Sequence, residues 1–304
     1  MRIGIDLGGT KTELIALDHA GVERHRVRVT TPAASYEAII ACIRGLVLGA
    51  EQALGTQATV GVGTPGALSP ATGRLRNANT VCLNGQPLDR DLSAALSREV
   101  RIANDANCFA LSEATDGAGR GAEIVLGVIL GTGCGGGVVV RGQLLQGAGA
   151  IAGEWGHNPL PWPEPDELPG PACYCGKRGC IETFVSGPAV SRDLVAHGGD
   201  AIDVQEIASR ASRGQTLEQA ALERFFARVS RGLASVINVI DPNVIVLGGG
   251  LSQLSGIEDA IAARLPPYVF SDYVASRIVR ATHGDSSGVR GAAWLFGPDE
   301  RSAS

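Results

Sequence analysis

Lysine is almost missing from this chain of 304 residues. Lys11 and Lys177 are the only two, and arginine supplies the rest of the 26 cationic side chains. Against 31 acidic residues the formal net charge is −5. No basic stripe interrupts that balance, so nucleic acid and anionic membrane surfaces are not expected partners. No apolar run approaches the roughly 20 residues that a membrane helix needs. The N-terminus opens directly as a strand, without a charged region, a long apolar stretch or a cleavage site, so no signal peptide is expected and a cytoplasmic location follows. There is no G-x-x-x-x-G-K-[ST] loop, and no Ser/Pro-rich linker divides the chain. The seven cysteines are odd in number. Cys42, Cys82, Cys108 and Cys134 are scattered and read as reduced thiols, so a disulfide framework is not the natural reading.

What the sequence does have is glycine, 42 residues spread throughout. Two stretches repeat one pattern. Ile3-Gly4-Ile5-Asp6-Leu7-Gly8-Gly9-Thr10-Lys11-Thr12 and Val128-Ile129-Leu130-Gly131-Thr132-Gly133-Cys134-Gly135-Gly136-Gly137 each place a Gly/Thr turn between apolar runs of strand type. Such turns bring backbone N–H groups close to an anion, and threonine adds a hydroxyl. Two of them facing each other would hold a polyphosphate between two lobes; each alone would serve as a plain hairpin. The second is followed by Val138-Val139-Val140, a strand and not a helix, so a dinucleotide fingerprint fits poorly.

Periodicity predicts strands over 2–7, 12–17, 21–30, 59–63, 100–103, 124–130, 137–141, 243–247 and 277–281. It predicts helices over 36–54, 88–98, 106–115, 186–197, 203–212, 216–240, 254–264 and 288–296. Hairpins at the head of each half, followed by alternating helices and strands, predict an α/β protein of two lobes with mixed sheets. The expected division is a small lobe over 1–110 with the C-terminal helix (about 288–304), and a large lobe over 111–287.

Asp6, at a strand end before the first turn, suits a carboxylate that holds Mg²⁺ through water against phosphates. Asp105 suits a general base that orients a hydroxyl; Asn104-Asp105 would equally cap the helix that follows. His157, Cys173, Cys175 and Cys180 can close a tetrahedral zinc site without an open position, hence structural; three unrelated thiols are the alternative. The loop 154–182 so pinned would fix Glu154 and Glu182, which with Asn104 and Asp105 suit a polyol. Gly248-Gly249-Gly250 would let a purine lie against backbone, or simply turn strand into helix. His283-Gly284-Asp285-Ser286-Ser287-Gly288 reads as a polar loop and helix cap, not a hydrolase triad.

Asp6-Leu7-Gly8-Gly9-Thr10-Lys11-Thr12, Gly131-Thr132-Gly133-Cys134-Gly135, Glu154-x-x-His157 and Cys173-x-Cys175-x4-Cys180-x-Glu182 together resemble the ROK sugar kinases, of the actin-like/hexokinase (ribonuclease H-like) ATPase superfamily. The likeness spans essentially the whole chain. Asn77-Ala78-Asn79, Leu83-Asn84-Gly85-Gln86-Pro87 and Ala103-Asn104-Asp105-Ala106-Asn107-Cys108 look closest to bacterial fructokinases of the manno(fructo)kinase type. The resemblance implies a cleft between lobes and ATP contacts from Gly4, Asp6, Gly8, Gly9, Thr10, Lys11, Thr12, Gly131, Thr132, Gly133, Gly135, Gly248 and Gly249. It implies sugar contacts from Asn79, Asn104, Asp105, Glu154, His157 and Glu182, with Asp105 as base and His157 serving both zinc and sugar. The implied reaction is ATP-dependent phosphorylation of a hexose 6-hydroxyl, fructose first and mannose second, with Mg²⁺ and structural zinc and a homodimeric assembly. Glucose or N-acetylglucosamine would suit the same polar set. A sugar-responsive regulator of the same family is disfavoured, because Met1 stands directly before the first strand and leaves no room for a DNA-binding segment.

Overall fold

The computed structural model describes residues 1–78 and 80–297. In chain order the elements are β1 (Arg2–Leu7), β2 (Lys11–Leu17), β3 (Glu23–Thr30), α1 (Tyr36–Leu54), β4 (Thr59–Thr64), β5 (Ala67–Leu68), β6 (Leu75–Arg76), α2 (Leu88–Leu96), β7 (Val100–Asn104) and α3 (Asp105–Thr115). There follow β8 (Ile124–Leu130), β9 (Cys134–Val140), β10 (Gln143–Leu144), α4 (Glu182–Val185), α5 (Gly187–Ala196), α6 (Val204–Ser212), α7 (Thr216–Ile240), β11 (Val244–Gly248), α8 (Ile257–Ala262), β12 (Arg277–Arg280) and α9 (Ser287–Ala293). The fold is α/β with two five-stranded mixed sheets, ordered β3-β2-β1-β4-β7 and β10-β9-β8-β11-β12. Among the described residues no helix is long and apolar enough to cross a membrane.

Two compact units divide the chain. One holds Met1–Gly121, Gly137–Ala152 and the chain from Thr282; the other holds Ala122–Gly136 and Gly153–Ala281.

In the first unit, β1 pairs antiparallel with β2 and parallel with β4, and β4 is parallel to β7. Side chains alternate across a strand. Ile3, Ile5, Val60 and Val62 join Ile39, Ile43 and Val47 of α1 and Leu88, Leu92 and Leu96 of α2 in one core. Helix α1 begins where the Ser35 hydroxyl accepts the Ala38 N–H, and ends at Gly55 in the left-handed region (φ 64°). On the other face, the centre of the sheet lacks side chains where β1 and β4 run together. Gly4 and Gly61 lie side by side across β1 and β4. A Cβ on Gly4 would overlap the Val289 carbonyl, and one on Gly61 the Ala292 carbonyl. Gly291 meets the Cys108 carbonyl in the same way. Helix α9 therefore lies directly on sheet backbone and on α3.

The start of α9 is anchored by Glu113, fully buried on α3. Its carboxylate accepts the N–H of Thr282 (2.9 Å) and His283 (3.1 Å) and the Ser287 hydroxyl (2.8 Å). His283 turns to Asp116, Nε2 to Oδ1 at 3.0 Å. The polar stretch 283–288 is thus a helix-start loop, as its composition predicts.

In the second unit, β11 runs parallel to both β8 and β12. Helix α7 buries Phe225, Val229, Leu233 and Ile237. Its Arg228 and Arg231 reach Glu167 of the Pro-rich loop, both at 2.7 Å, and Arg228 also holds Asp193 of α5 at 2.7 Å. These charges are all largely buried and mutually paired, so removing one would leave another uncompensated.

Strand β9 begins at Cys134, three residues before the expected start, because Cys134, Gly135 and Gly136 are strand residues and not turn; Gly136 and Gly137 have a packing role there. Each is glycine for close approach: a Cβ on Gly136 would press on the Trp155 ring, and one on Gly137 on the Ala106 carbonyl.

Candidate active site

Strands β1, β4 and β7 end side by side at Asp6-Leu7, Thr64 and Asn104. Loops beyond the carboxyl ends of parallel strands are where open α/β sheets present ligand-binding groups. The first glycine turn is closed by Gly8 N–H to the Lys11 carbonyl at 3.0 Å, and Gly9, Thr10 and Lys11 are exposed. Thr31 braces it, donating its hydroxyl to the Gly8 carbonyl at 2.7 Å. That bond uses the only proton of Thr31, so the Thr12 hydroxyl donates to Thr31 at 2.8 Å. Two expectations change here. Thr12 is buried behind the turn as a brace, and Gly4 lies inside β1 under α9; neither is exposed at the turn where a phosphate would sit.

Asn104 caps α3: its Oδ1 accepts the Ala106 N–H at 2.8 Å, while its Nδ2 donates to the Gly66 carbonyl at 3.2 Å. The cap reading of the Asn104-Asp105 pair holds, and the cap leaves the Asp105 carboxylate at the mouth of the helix. Asp105 Oδ1 also accepts the Ala106 N–H at 2.8 Å. The side chain is open to solvent yet closely surrounded, and loss of hydration pushes its carboxyl up despite the backbone hydrogen bonds that favour the charge. Asp6 responds to the same environment. Burial first, then the charges of Asp105 and Glu13, push its carboxyl up to about 6. Two neighbouring carboxylates are held poor in compensating charge, an arrangement suited to a divalent cation and a hydroxyl proton.

In the second unit the turn is Gly131-Thr132-Gly133, closed by Gly131 N–H to the Gly133 carbonyl at 3.0 Å. It is tied at two further points. The Gly131 carbonyl accepts the Gly187 N–H at 2.8 Å, and the Cys134 N–H donates to Glu182 Oε2 at 2.9 Å. Gly135 lies beyond the turn, in β9, where its carbonyl accepts the Trp155 indole N–H at 3.1 Å. Gly248 ends β11 beside Ile129. Gly249 (φ 80°) lies so close to Leu130 that a Cβ would strike its backbone. Chain ends of β8 and β11 thus meet beside a pocket of about 380 Å³ lined by Gly131, Thr132, Gly187, Ser191, Asp203 and Gln205, among others. Ser191, Asp203 and Gln205 were not legible as site residues. The only signal is their place at or near the starts of α5 and α6, after Gly187-Pro188.

The ligand atoms of His157, Cys173, Cys175 and Cys180 all lie within 4.8 Å of one another, the only such His/Cys/carboxylate group among the described residues. The knuckle that gathers them is a small hairpin: Cys173 N–H bonds the Lys177 carbonyl at 2.8 Å, with Gly176 (φ 87°) and Gly179 (φ 70°) at its bends. Cys173 Sγ lies 3.6 Å from His157 Nδ1, and Cys175 Sγ 3.6 Å from Cys180 Sγ. Tetrahedral ligands at zinc distances of about 2.3 Å (sulfur) and 2.0 Å (nitrogen) stand roughly 3.5–3.8 Å apart. The residues therefore fit zinc. The other ring nitrogen of His157 is occupied by the Tyr174 phenol at 2.9 Å. The Tyr174 hydroxyl is itself pushed up to about 12 by loss of hydration and by the charges of Glu182 and Glu154. Asn79 lies outside the described residues.

The model of the ROK family matches residues 2–298. The N-acetyl-D-glucosamine kinase of Salmonella paratyphi B is 40% identical over 299 residues, covering 97% of this chain and 99% of that protein. The ROK hexokinase of Thermus thermophilus is 34% identical with a TM-score of 0.85, over 96% of each chain. The ROK family glucokinase of Streptomyces griseus, solved with glucose and AMPPNP, is 28% identical with a TM-score of 0.73, over 96% of this chain and 97% of that one.

Proposed function

The chain belongs to the ROK family, and on that premise we propose that it transfers the γ-phosphoryl group of ATP to the 6-hydroxyl of a hexose. The observation that carries this reading is the Asp6–Asp105 pair at the end of β1 and the start of α3, two neighbouring carboxylates of raised pKa beside a glycine turn. Asp105 accepts the proton of the 6-hydroxyl as its oxygen bonds to the γ-phosphorus and the bond to the β-phosphate oxygen breaks. Such a base contributes mainly by orienting the nucleophile. Asp6 is the residue that would hold Mg²⁺, which would supply charge neutralisation at the phosphates.

The phosphates lie on the N–H groups of Gly8, Gly9 and Thr10 with Lys11, and on Gly131, Thr132 and Gly133. The adenosine lies by Gly248 and Gly249, in the pocket that Ser191, Asp203 and Gln205 line. Asn79, Asn104, Glu154, His157 and Glu182 receive the sugar hydroxyls. His157, Cys173, Cys175 and Cys180 hold structural zinc. When bound, the metal would serve mechanically, fixing the loop 154–182 that carries Glu154 and Glu182. No other step runs through it.

As acceptor we propose N-acetyl-D-glucosamine ahead of fructose. The fructose expectation rests on short motifs, whereas relatives matched over nearly the whole chain are N-acetyl-D-glucosamine kinases. A coupled ADP-release assay with ATP and Mg²⁺ across N-acetyl-D-glucosamine, glucose, mannose and fructose tests both levels. The expected result is sugar-dependent turnover with the highest kcat/KM for N-acetyl-D-glucosamine. A preference for fructose would reverse the choice of acceptor; ADP release indifferent to every sugar would overturn the kinase reading.

A further inference from the structure

The motif Leu83-Asn84-Gly85-Gln86-Pro87 has no part in the reaction as proposed, yet it carries an unusual contact. Asn84 Oδ1 accepts the Ala78 N–H at 2.8 Å, and Asn84 Nδ2 donates to the Ala78 carbonyl at 2.9 Å. Only one orientation of an amide satisfies both groups at once, so the side chain acts as a strand partner for a single residue. A residue of ordinary loop backbone rarely needs both of its polar groups held by one side chain.

The clamped residue lies between Asn77, in the left-handed region (φ 60°), and Asn79. It also packs on the carboxyl ends of the central strands. Gly66 (φ 84°) approaches the backbone of Arg76, Asn77 and Ala78 so closely that a Cβ would sit 2.8 Å from the Ala78 nitrogen. The Gly66 carbonyl in turn accepts the Asn104 amide. A continuous set of contacts thus leads from Asn84 through Ala78 and Gly66 to Asn104, the cap that presents Asp105.

We propose that Asn84 is a positioning residue for sugar recognition: its two hydrogen bonds to Ala78 hold that residue against Gly66 and so in register with Asn104 and Asp105. The proposal rests on the assignment of Asn79 and Asn104 to the sugar. Asn84 touches no substrate. Its loss should weaken sugar binding and leave the nucleotide contacts of Gly8, Gly9 and Thr10 as they are.

The test is steady-state kinetics of the full chain, and of Asn84→Asp and Asn84→Ala, with ATP and the hexose that the unsubstituted protein uses best. Aspartate keeps the size and the acceptor but sets an oxygen against the Ala78 carbonyl. The expected result is a sugar KM raised tenfold or more in both variants, an ATP KM within twofold, and melting temperatures within a few degrees of the unsubstituted protein. A sugar KM within twofold in a folded variant would overturn the proposal. So would sugar and ATP constants that rise together, or failure of both variants to fold, since each marks a role in general structure. Absence of turnover and of calorimetric hexose binding in the unsubstituted chain would overturn the kinase reading and this inference with it; normal turnover with an unchanged sugar KM in the variants overturns the inference alone.

Discussion

The phenol oxygen of Tyr174 lies 2.9 Å from Nε2 of His157, while Nδ1 of the same ring faces Cys173 Sγ at 3.6 Å. A histidine that offers Nδ1 to a metal carries its proton on Nε2, so the imidazole donates to Tyr174. Partners of this kind fix the tautomer and ring orientation, and their loss typically costs about 10–100-fold in metal affinity. Tyr174 is 81% exposed, which puts the expected effect at the low end. Tyr174→Phe should raise the zinc dissociation constant about tenfold in a chelator competition. An unchanged constant would show that the ring is oriented by something else. The sharing of His157 between zinc and sugar also acquires a condition, because a hexose that uses Nε2 must displace the phenol.

Zinc removal should act on the sugar before it acts on the fold. The knuckle is joined to the rest of its unit through the bridge of Pro159 with Cys180 and through Glu182 on the Cys134 N–H. Stripping zinc with a chelator, or Cys180→Ser, should raise the sugar KM and lower the melting temperature, with both restored when zinc is returned to the stripped protein. Metal analysis that finds no zinc in freshly purified protein would remove the basis for this expectation.

Asp105→Asn should leave the cap of α3 in place, since the Asn104 side chain supplies it independently. Turnover should drop by at least about 10²–10³, the range for a positioned base, while hexose still binds in calorimetry. Activity within tenfold of the unsubstituted protein would show that the hydroxyl is oriented by another group.

Gly61→Ala tests the face of the first sheet that lacks side chains where β1 and β4 run together. The added methyl meets backbone, the Ala292 carbonyl, and not a flexible side chain, so α9 must shift. Overpacking of that kind costs about 1–3 kcal/mol, and a fall of several degrees in melting temperature is expected. Gly45, whose Cβ would meet nothing within 4 Å on the helix α1, is the comparison: Gly45→Ala should be neutral or slightly stabilising.

Local signals read well from sequence where one residue type has one use. The runs ending at Asp6 and Leu130, the α1 face of Ile39, Ile43 and Val47, and the His157–Cys180 spacing each map onto the structure. Glycine was read less well because it has several uses. Gly9 shapes a turn, Gly4 and Gly61 admit a helix, and Gly136 admits a tryptophan, yet all are written alike. The direction of Thr12 depends on Thr31, and the Glu167 cluster on arginines 61 and 64 residues away. The residues lining the pocket by Gly131 come from four segments that only the fold brings together.

The pH dependence should run opposite to that of an ion-paired aspartate. Asp6 titrates at about 6 in the folded chain against 3.8 for an ordinary aspartate, owing first to burial and then to Asp105 and Glu13. Between those values the folded protein keeps a proton that the unfolded chain has released. The resulting stability is present below pH 4 and is lost as the pH rises through 6, a span of at most about 3 kcal/mol. Asp6→Asn should therefore melt higher than the unsubstituted protein at pH 7.5, with the difference vanishing toward pH 4. Mg²⁺ with nucleotide should narrow the gap at pH 7.5, since a cation compensates the buried charge that asparagine merely removes. Activity has the reverse sign: Asp105 must be ionised to accept a proton, and its raised pKa should carry the acid limb of kcat/KM above the usual carboxylate range. Melting curves that coincide for both proteins at every pH would show that the Asp6 carboxylate is compensated in the free chain.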